Sequence, residues 1–389
     1  MNAYAVRIRR ELHQYPEIGF DLPRTLALLR RELDAIGVPY TEEYGKSSIV
    51  ATVNPEKSHF TVGIRADIDA LPIHEKNEVE YCSRIDGQMH ACGHDAHTAI
   101  ALATLKEIYE ERDSFDFRIK FLFQSAEEYA PSGAKLMAED GVMDDIDCIV
   151  ALHCDTGFSA GTIAITPYEQ NAISDGFVLG FFGKSAHAGN QERGIDAIQM
   201  AVQAYTAIEL MIAKEIAVKE RVIFNAGTIQ GGTANNIIAE QCSMYCTLRT
   251  WNEELAGKII DKIKRIGESL ASIAGGSFSF EPRKHYPIVY NDPILTERVR
   301  IAAAAVVGEE QVKNNRRAMG GEDFAYFAQR KSGCMFRLGV RNEKRGIVNG
   351  PHTDRFDLDE DALEIGVKIF KQFLADCGTE AALKKESNG

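Results

Sequence analysis

No stretch of this sequence approaches the roughly 18 consecutive apolar residues of a membrane-spanning helix, so none is expected. Runs of lysine and arginine are missing too, and 44 basic residues against 57 acidic ones leave a net charge of −13. That balance argues against nucleic acid or an anionic membrane surface as a partner, though an anionic small molecule needs only one local basic group. Prolines number 11, and no repeat is visible. The first twenty residues, MNAYAVRIRRELHQYPEIGF, put Arg7, Arg9, Arg10 and Glu11 where a signal peptide would carry its apolar run. The eight cysteines follow no regular framework. These features predict a cytoplasmic chain with reduced thiols.

What is present is an ordinary globular composition, 45% hydrophobic and 26% charged, over 389 residues, a length that favours two domains. Helical spacing of Leu22, Leu26, Leu29 and Leu33 predicts a helix that Gly37 stops. Strand patterns follow at SSIVATV and FTVGIRAD, then a helix after Asp95, a strand FRIKFLFQ, a short helix SGAKLMAED and a strand DCIVALH. Near-continuous apolar strands between helices indicate a sheet covered on both faces, an α/β domain. From about Ser174 the pattern becomes strand-helix-strand-strand-helix-strand, a ferredoxin-like order. After Tyr290 the alternation resumes, up to a final helix from Glu360. The economical reading is an α/β domain (residues 1–173 and 286–389) interrupted by a smaller inserted one (residues 174–285).

The densest chemistry lies in MHACGHDAHT, residues 89–98, with three of the ten histidines, a cysteine and an aspartate. Taken alone it fits a thiol nucleophile with a histidine base, a metal site, or a His-rich polar turn. Ligands of open α/β sheets sit at strand ends, and further polar groups fall there. FLFQSAEEYAPSG puts Glu127 and Glu128 just past one strand, CIVALHCD puts His153 at the end of the next, and VNGPHTDRFDLDE puts His352 in a loop after the last apolar strand. With Cys92 and His94 these make five donors of N, O and S type on separate elements. Each has an ordinary alternative: a hydrogen-bonded histidine, a solvated glutamate pair, a capped turn. Cys242 and Cys246, four apart on one strand face with no second pair, read as core packing.

RRELHQYPEIGF, GIRADIDALPI, MHACGHDAHT, FLFQSAEEYAPSGA, GKSAHAG, GGTANNI, MGGEDFAYF and PHTDRFDLDE occur in the order seen in one family. The chain resembles the dinuclear metallopeptidase family of aminoacylases and glutamate carboxypeptidases. Within it, the chain is similar to the amidohydrolase branch of hippurate hydrolases, auxin-conjugate hydrolases and N-acetyldiaminopimelate deacetylases. The resemblance covers nearly the whole chain. It implies a mixed-sheet metallopeptidase catalytic domain with an inserted ferredoxin-like dimerisation (lid) domain, hydrolysing the amide bond of N-acyl amino acids.

Carried over residue by residue, the resemblance makes Cys92 a bridge between two divalent metal ions. His94 and His153 complete one site, and Glu128 and His352 the other. Glu127 is then the general base, and Asp67 orients a ligand. Two ions about 3.5–4 Å apart would activate a water and polarise the scissile carbonyl. A thiolate ligand favours borderline metals (manganese, zinc, nickel or cobalt) over magnesium. On the inserted domain, His187 would reach the partner subunit's site in a homodimer and stabilise the oxyanion, while Asn236 and Arg249 would bind the substrate's carboxylate. An ordinary reading of Arg249 is a surface salt bridge.

Many relatives outside the branch carry histidine at the position of Arg65 and aspartate at that of Cys92, and His94 makes up for the missing histidine. Asn190 and Tyr129 also depart from frequent proline and glycine, so the acyl preference stays open. His13, His59, His74 and His285 read as structural or surface residues, and His97 as a packing or hydrogen-bonding neighbour of the site. A dipeptidase or carboxypeptidase is the nearest rival. A cysteine hydrolase leaves Glu127, Glu128, His153 and His352 without a role, and a non-catalytic binder does not need every catalytic position filled.

Overall fold

Runs such as IVATV and CIVALHC leave no polar face for solvent, so the strands they form need cover on both sides. In the computed structural model, which describes residues 2–387 and side chains as far as residue 378, they lie in an eight-stranded mixed sheet. Its order is Tyr40–Thr41, Ile49–Val53, Arg118–Gln124, Thr61–Asp67, Cys148–Ser159, Ser332–Arg341, Ile163–Ala164 and Val312–Lys313. Thr61–Asp67 runs parallel to both neighbours, and Cys148–Ser159 runs parallel to Ser332–Arg341. Helices His94–Glu110, Pro293–Val307 and Asp361–Ser387 share an apolar core with this sheet. His94–Glu110 is buried at every position from His94 to Leu105. A helix buried on all sides belongs inside a core, and the small residues Ala96, Ala99, Ala101 and Ala103 let its neighbours approach. Among the described residues no helix is long and apolar enough to cross a membrane.

Helix Pro23–Ile36 ends where the sequence places its stop: Gly37 takes the left-handed conformation, φ 80°, and its N–H bonds back to Leu33 and Asp34. Apolar spacing does not predict helix Ala3–Gln14. Its buried face combines Ala5, Ile8 and Leu12 with Arg9 and His13, and the charged residues hide the apolar period.

The chain divides into two units, one of Met1–Gln170, Tyr290–Arg316 and Asp323–Gly389, the other of Asn171–Val289 and Arg317–Glu322. The second holds an antiparallel sheet ordered Ser277–Tyr286, Ile173–Phe182, Gln241–Thr250, Val222–Gly231. Helices Ala197–Glu215 and Glu253–Ala274 pack on it through Ile208, Met211, Ile259 and Ile263, with Cys242 and Cys246 buried in the same core. This is the ferredoxin-like order. The unit reaches beyond residues 174–285 at both ends because the return Arg317–Glu322 joins it. There Ala172 N–H donates to Ala318 O at 3.0 Å, and Arg249 donates to Met319 O at 2.7 Å. Such a return has no periodicity to read.

Candidate metal centre

The centre grows from the end of strand Thr61–Asp67. Gly93 opens helix His94–Glu110 in the left-handed region, φ 88°, and a Cβ there would lie 3.1 Å from the Cys154 side chain. Only glycine meets both demands at low cost, and the turn presents Cys92 and His94 from either side of it. His153 is not at a strand end as its sequence suggests, because Cys148–Ser159 continues well past it. The strand's pairing with Thr61–Asp67 stops at Arg65↔Ala151, while His153 still pairs with Arg337 on the other side. The sheet therefore splits beside His153 and frees its ring.

Cys92, His94 and His153 offer ligand atoms all within 4.8 Å of one another. His94 Nδ1–H donates to the carbonyl of Asp69 at 2.8 Å, and His153 Nδ1–H to that of Cys154 at 2.7 Å. On each ring this leaves Nε2 as the nitrogen that faces the cluster. His153 Nε2 lies 3.5 Å from Cys92 Sγ, and His94 Nε2 is buried with no hydrogen-bond partner. An orphaned buried nitrogen beside a thiol and a second imidazole suits a soft-to-borderline cation.

A second group joins Cys92, Glu128 and His352, and a third joins His94, Glu127 and Glu128. Local backbone places the glutamates. Ala126 adopts φ 50°, and Gly133 packs so closely that a Cβ would fall 1.8 Å from Ser125 O. The Asp69 carboxylate accepts the N–H groups of Glu127 at 3.0 Å and Glu128 at 3.2 Å, which pins the dipeptide backbone. Asp69 is a site residue that sequence reasoning missed; its signal is the second aspartate of RADID. His352 also sits in the left-handed region, φ 61°, a conformation costly outside glycine. Its N–H donates to Ala91 O at 2.7 Å, and its Nε2 lies 2.9 Å from Glu128 Oε1. Phe356 packs with Leu71, Met89, Ala91 and Cys92 and so holds this loop against the cysteine.

Behind these groups lies a buried polar layer. Asp67 accepts from His97 Nδ1 at 2.6 Å and from Arg65 at 2.7 Å, and Arg65 also holds Gln124 and Asp323, each at 2.7 Å. His97 Nε2 accepts Cys154 N–H at 2.8 Å, so His97 is the hydrogen-bonding neighbour expected. Burial by itself would raise the Asp67 carboxyl, but Arg65, His94 and His97 outweigh it and hold Asp67 well below the usual range. Breaking such a buried pair from one side typically costs about 3–5 kcal/mol. Burial pushes the Cys92 thiol up to about 12, and it lowers His153, helped by Arg337. An activated cysteine nucleophile needs the opposite shift. A divalent cation would supply the missing positive charge and stabilise the thiolate.

The other expected residues belong to the second unit. His187 is exposed, and its Nδ1 accepts Gly189 N–H at 3.0 Å, which leaves Nε2–H as a donor turned to solvent. Asn236 adjoins it: Ala188 N–H donates to Asn236 O at 2.9 Å. Arg249 holds a main-chain carbonyl, that of Met319, and among the described residues it pairs with no carboxylate. His13 is buried between Asp95 and Glu75, His285 pairs with Asp175, and His74 with Asp86.

Residues 63–376 match Peptidase family M20/M25/M40. Thermostable carboxypeptidase 1 of Saccharolobus solfataricus is 33% identical over 93% of this chain and 92% of its own length. N-acetylcysteine deacetylase of Bacillus subtilis is 30% identical over 94% of this chain and 95% of its own. The solved structure of the Bacillus subtilis YXEP protein, a dinuclear metal-binding peptidase of the M20 family, superposes with a TM-score of 0.80 at 28% identity. That match covers 96% of this chain and 98% of that one. By its sequence, its sheets and its clustered donors, the chain belongs to peptidase family M20/M25/M40 and is a metal-dependent amidohydrolase.

Proposed function

We propose that this chain hydrolyses the amide bond of N-acyl amino acids at a centre holding two divalent cations. Cys92, His94 and His153 would hold one, and Cys92, Glu128 and His352 would hold the other. The convergence of Cys92 Sγ with the Nε2 atoms of His94 and His153, each ring already committed through Nδ1, carries this reading. When bound, the cations lower the pKa of a water and polarise the scissile carbonyl. Glu127 takes the proton of that water and delivers it to the leaving amine. Its neighbour Glu128 would hold a cation, and Asp69 fixes the backbone of both. Asp67 acts through the ligands it faces, held anionic by Arg65 and His97.

Two copies supply the rest. Val222–Gly231 is an edge of the second unit's sheet, with Ile223 and Ile229 exposed, and helix Ala197–Glu215 exposes Ile198, Val202 and Leu210. An unpaired edge beside apolar side chains is a surface that a second copy can cover. His187 Nε2–H then donates to the oxyanion in the partner's site, and Asn236 and Arg249 bind the free carboxylate. Eight cysteines without a disulfide suit a reducing cytoplasm.

Chelation should abolish activity and a divalent cation restore it, and full activity in a metal-free preparation would sink the proposal. Manganese, zinc, nickel and cobalt, each tested against N-acetyl amino acids and against dipeptides, identify the cation. The same panel separates a deacylase from a carboxypeptidase or dipeptidase, both of which also present an amide next to a carboxylate.

A further inference from the structure

The RRELHQYPE stretch has no part in the chemistry above, yet it begins inside the unpredicted helix Ala3–Gln14, whose Arg9 is fully buried. Arg9 Nε donates to Asp95 Oδ2 at 2.9 Å, and Asp95 directly follows His94. The same guanidinium donates through Nη2 to Asp357 Oδ1 at 2.9 Å and through Nη1 to Glu360 Oε1 at 3.4 Å. Asp357 follows Phe356, which packs on Cys92, and it closes the loop that His352 begins. Asp357 is itself fixed, accepting Tyr81 O–H at 2.9 Å on its other oxygen. One planar group thus ties the helix that carries His94 to the segment that carries His352.

We propose that Arg9 is a positioning residue for the centre, holding the His94 side and the His352 side in register through Asp95 and Asp357. The inference rests on the proposed ligand set. A guanidinium suits this task because its fork of donors reaches three carboxylates at once, which a lysine ammonium does not. The two arms act on different ions. The Asp95 arm steadies the site of His94 and His153, and the Asp357 arm steadies that of Glu128 and His352.

Titration of the metal-stripped full-length chain with manganese alone, followed by calorimetry, reads each ion separately and needs no turnover. The wild type should take up two ions. Asp357→Asn keeps the shape and should weaken one of them by about 10- to 100-fold, the usual size of an outer partner's effect. The other ion, which shares only Cys92 with that site, should weaken distinctly less. Arg9→Lys keeps the charge and should weaken both, which repeats the test if Asp357→Asn does not fold. Ile8→Ala, from the apolar side of the same helix, should lower Tm and leave both affinities alone. Two equally tight ions in the Asp357→Asn and Arg9→Lys variants would overturn the clamp. So would an Ile8→Ala chain that loses the same ion as Asp357→Asn. A wild type that takes up no manganese sinks the proposed function and the clamp together, an outcome distinct from loss of the clamp alone.

Discussion

Around Cys92 the side chains of His94, His97, His153 and Asp67 are buried and hydrogen-bonded, whereas around His187 the loop stands in solvent and fixes one ring nitrogen. In the first region His94, His97 and His153 each spend one nitrogen on a carbonyl or carboxylate. A cation site gains from donors fixed in direction before the ion arrives, and burial with hydrogen bonds provides that. In the second region a single bond, Gly189 N–H to His187 Nδ1, selects the tautomer and leaves the Nε2 donor uncommitted. That suits a group whose acceptor arrives only with substrate and a second copy. Preorganisation is extensive in one region and minimal in the other.

The largest expected effect tests the first side within one dipeptide. Glu127→Gln should lower kcat by about 10²- to 10⁴-fold, the range for loss of a general base, while metal content stays near normal. Glu128→Gln should lose metal as well. Metal analysis of the two purified variants decides the matter, and identical metal contents would mean that the roles are wrongly assigned. Cys92→Ser should weaken both ions, because a hydroxyl is a far poorer anionic bridge than a thiolate.

The exposed side breaks differently. His187→Ala should keep fold and metals and lose about 10²–10³ in rate, the scale of one oxyanion donor. Mixing the inactive His187→Ala and Glu127→Gln chains under subunit exchange sharpens the contrast. A mixed pair contains one site with an intact Glu127 and a partner's intact His187, so activity should return. Silence despite demonstrated exchange would confine His187 to its own chain or remove it from the reaction.

Much of this contrast is legible in the sequence, for physical reasons that differ between residues. The strands read clearly because apolar runs of five to seven residues have few other uses, and the order of elements from Ile173 to Tyr286 gives the ferredoxin-like sheet directly. Cys92, His94, Glu127 and Glu128 announce themselves by chemistry. His153 reads as a strand end because residue type does not reveal where one neighbour stops pairing. Asp69 hides because its task, gripping two backbone N–H groups, depends on a left-handed Ala126 that no local pattern encodes. Helix Ala3–Gln14 hides because it buries Arg9 and His13 where apolar residues are expected. The return Arg317–Glu322 leaves no signal at all.

The smallest effect concerns the polar layer behind the centre. Burial by itself would raise the Glu75 carboxyl, but bonds from His13, Ser83 N–H and Asn77 outweigh it and hold Glu75 down at about 2. A folded pKa below the ordinary 4.5 means that ionised Glu75 contributes stability above about 4.5. That contribution fades as pH falls and is gone below about 2. Glu75→Gln keeps the shape and removes the charge, so its Tm should lie a few degrees under the wild type's at pH 6. The gap should shrink steadily as both proteins are melted at lower pH. His187→Ala, from the exposed region, should show no gap at either end of the scale. A Glu75→Gln gap as wide at pH 3 as at pH 6 would mean that Glu75 contributes packing rather than charge. The contrast between a clamped region and a free one would then rest on shape alone.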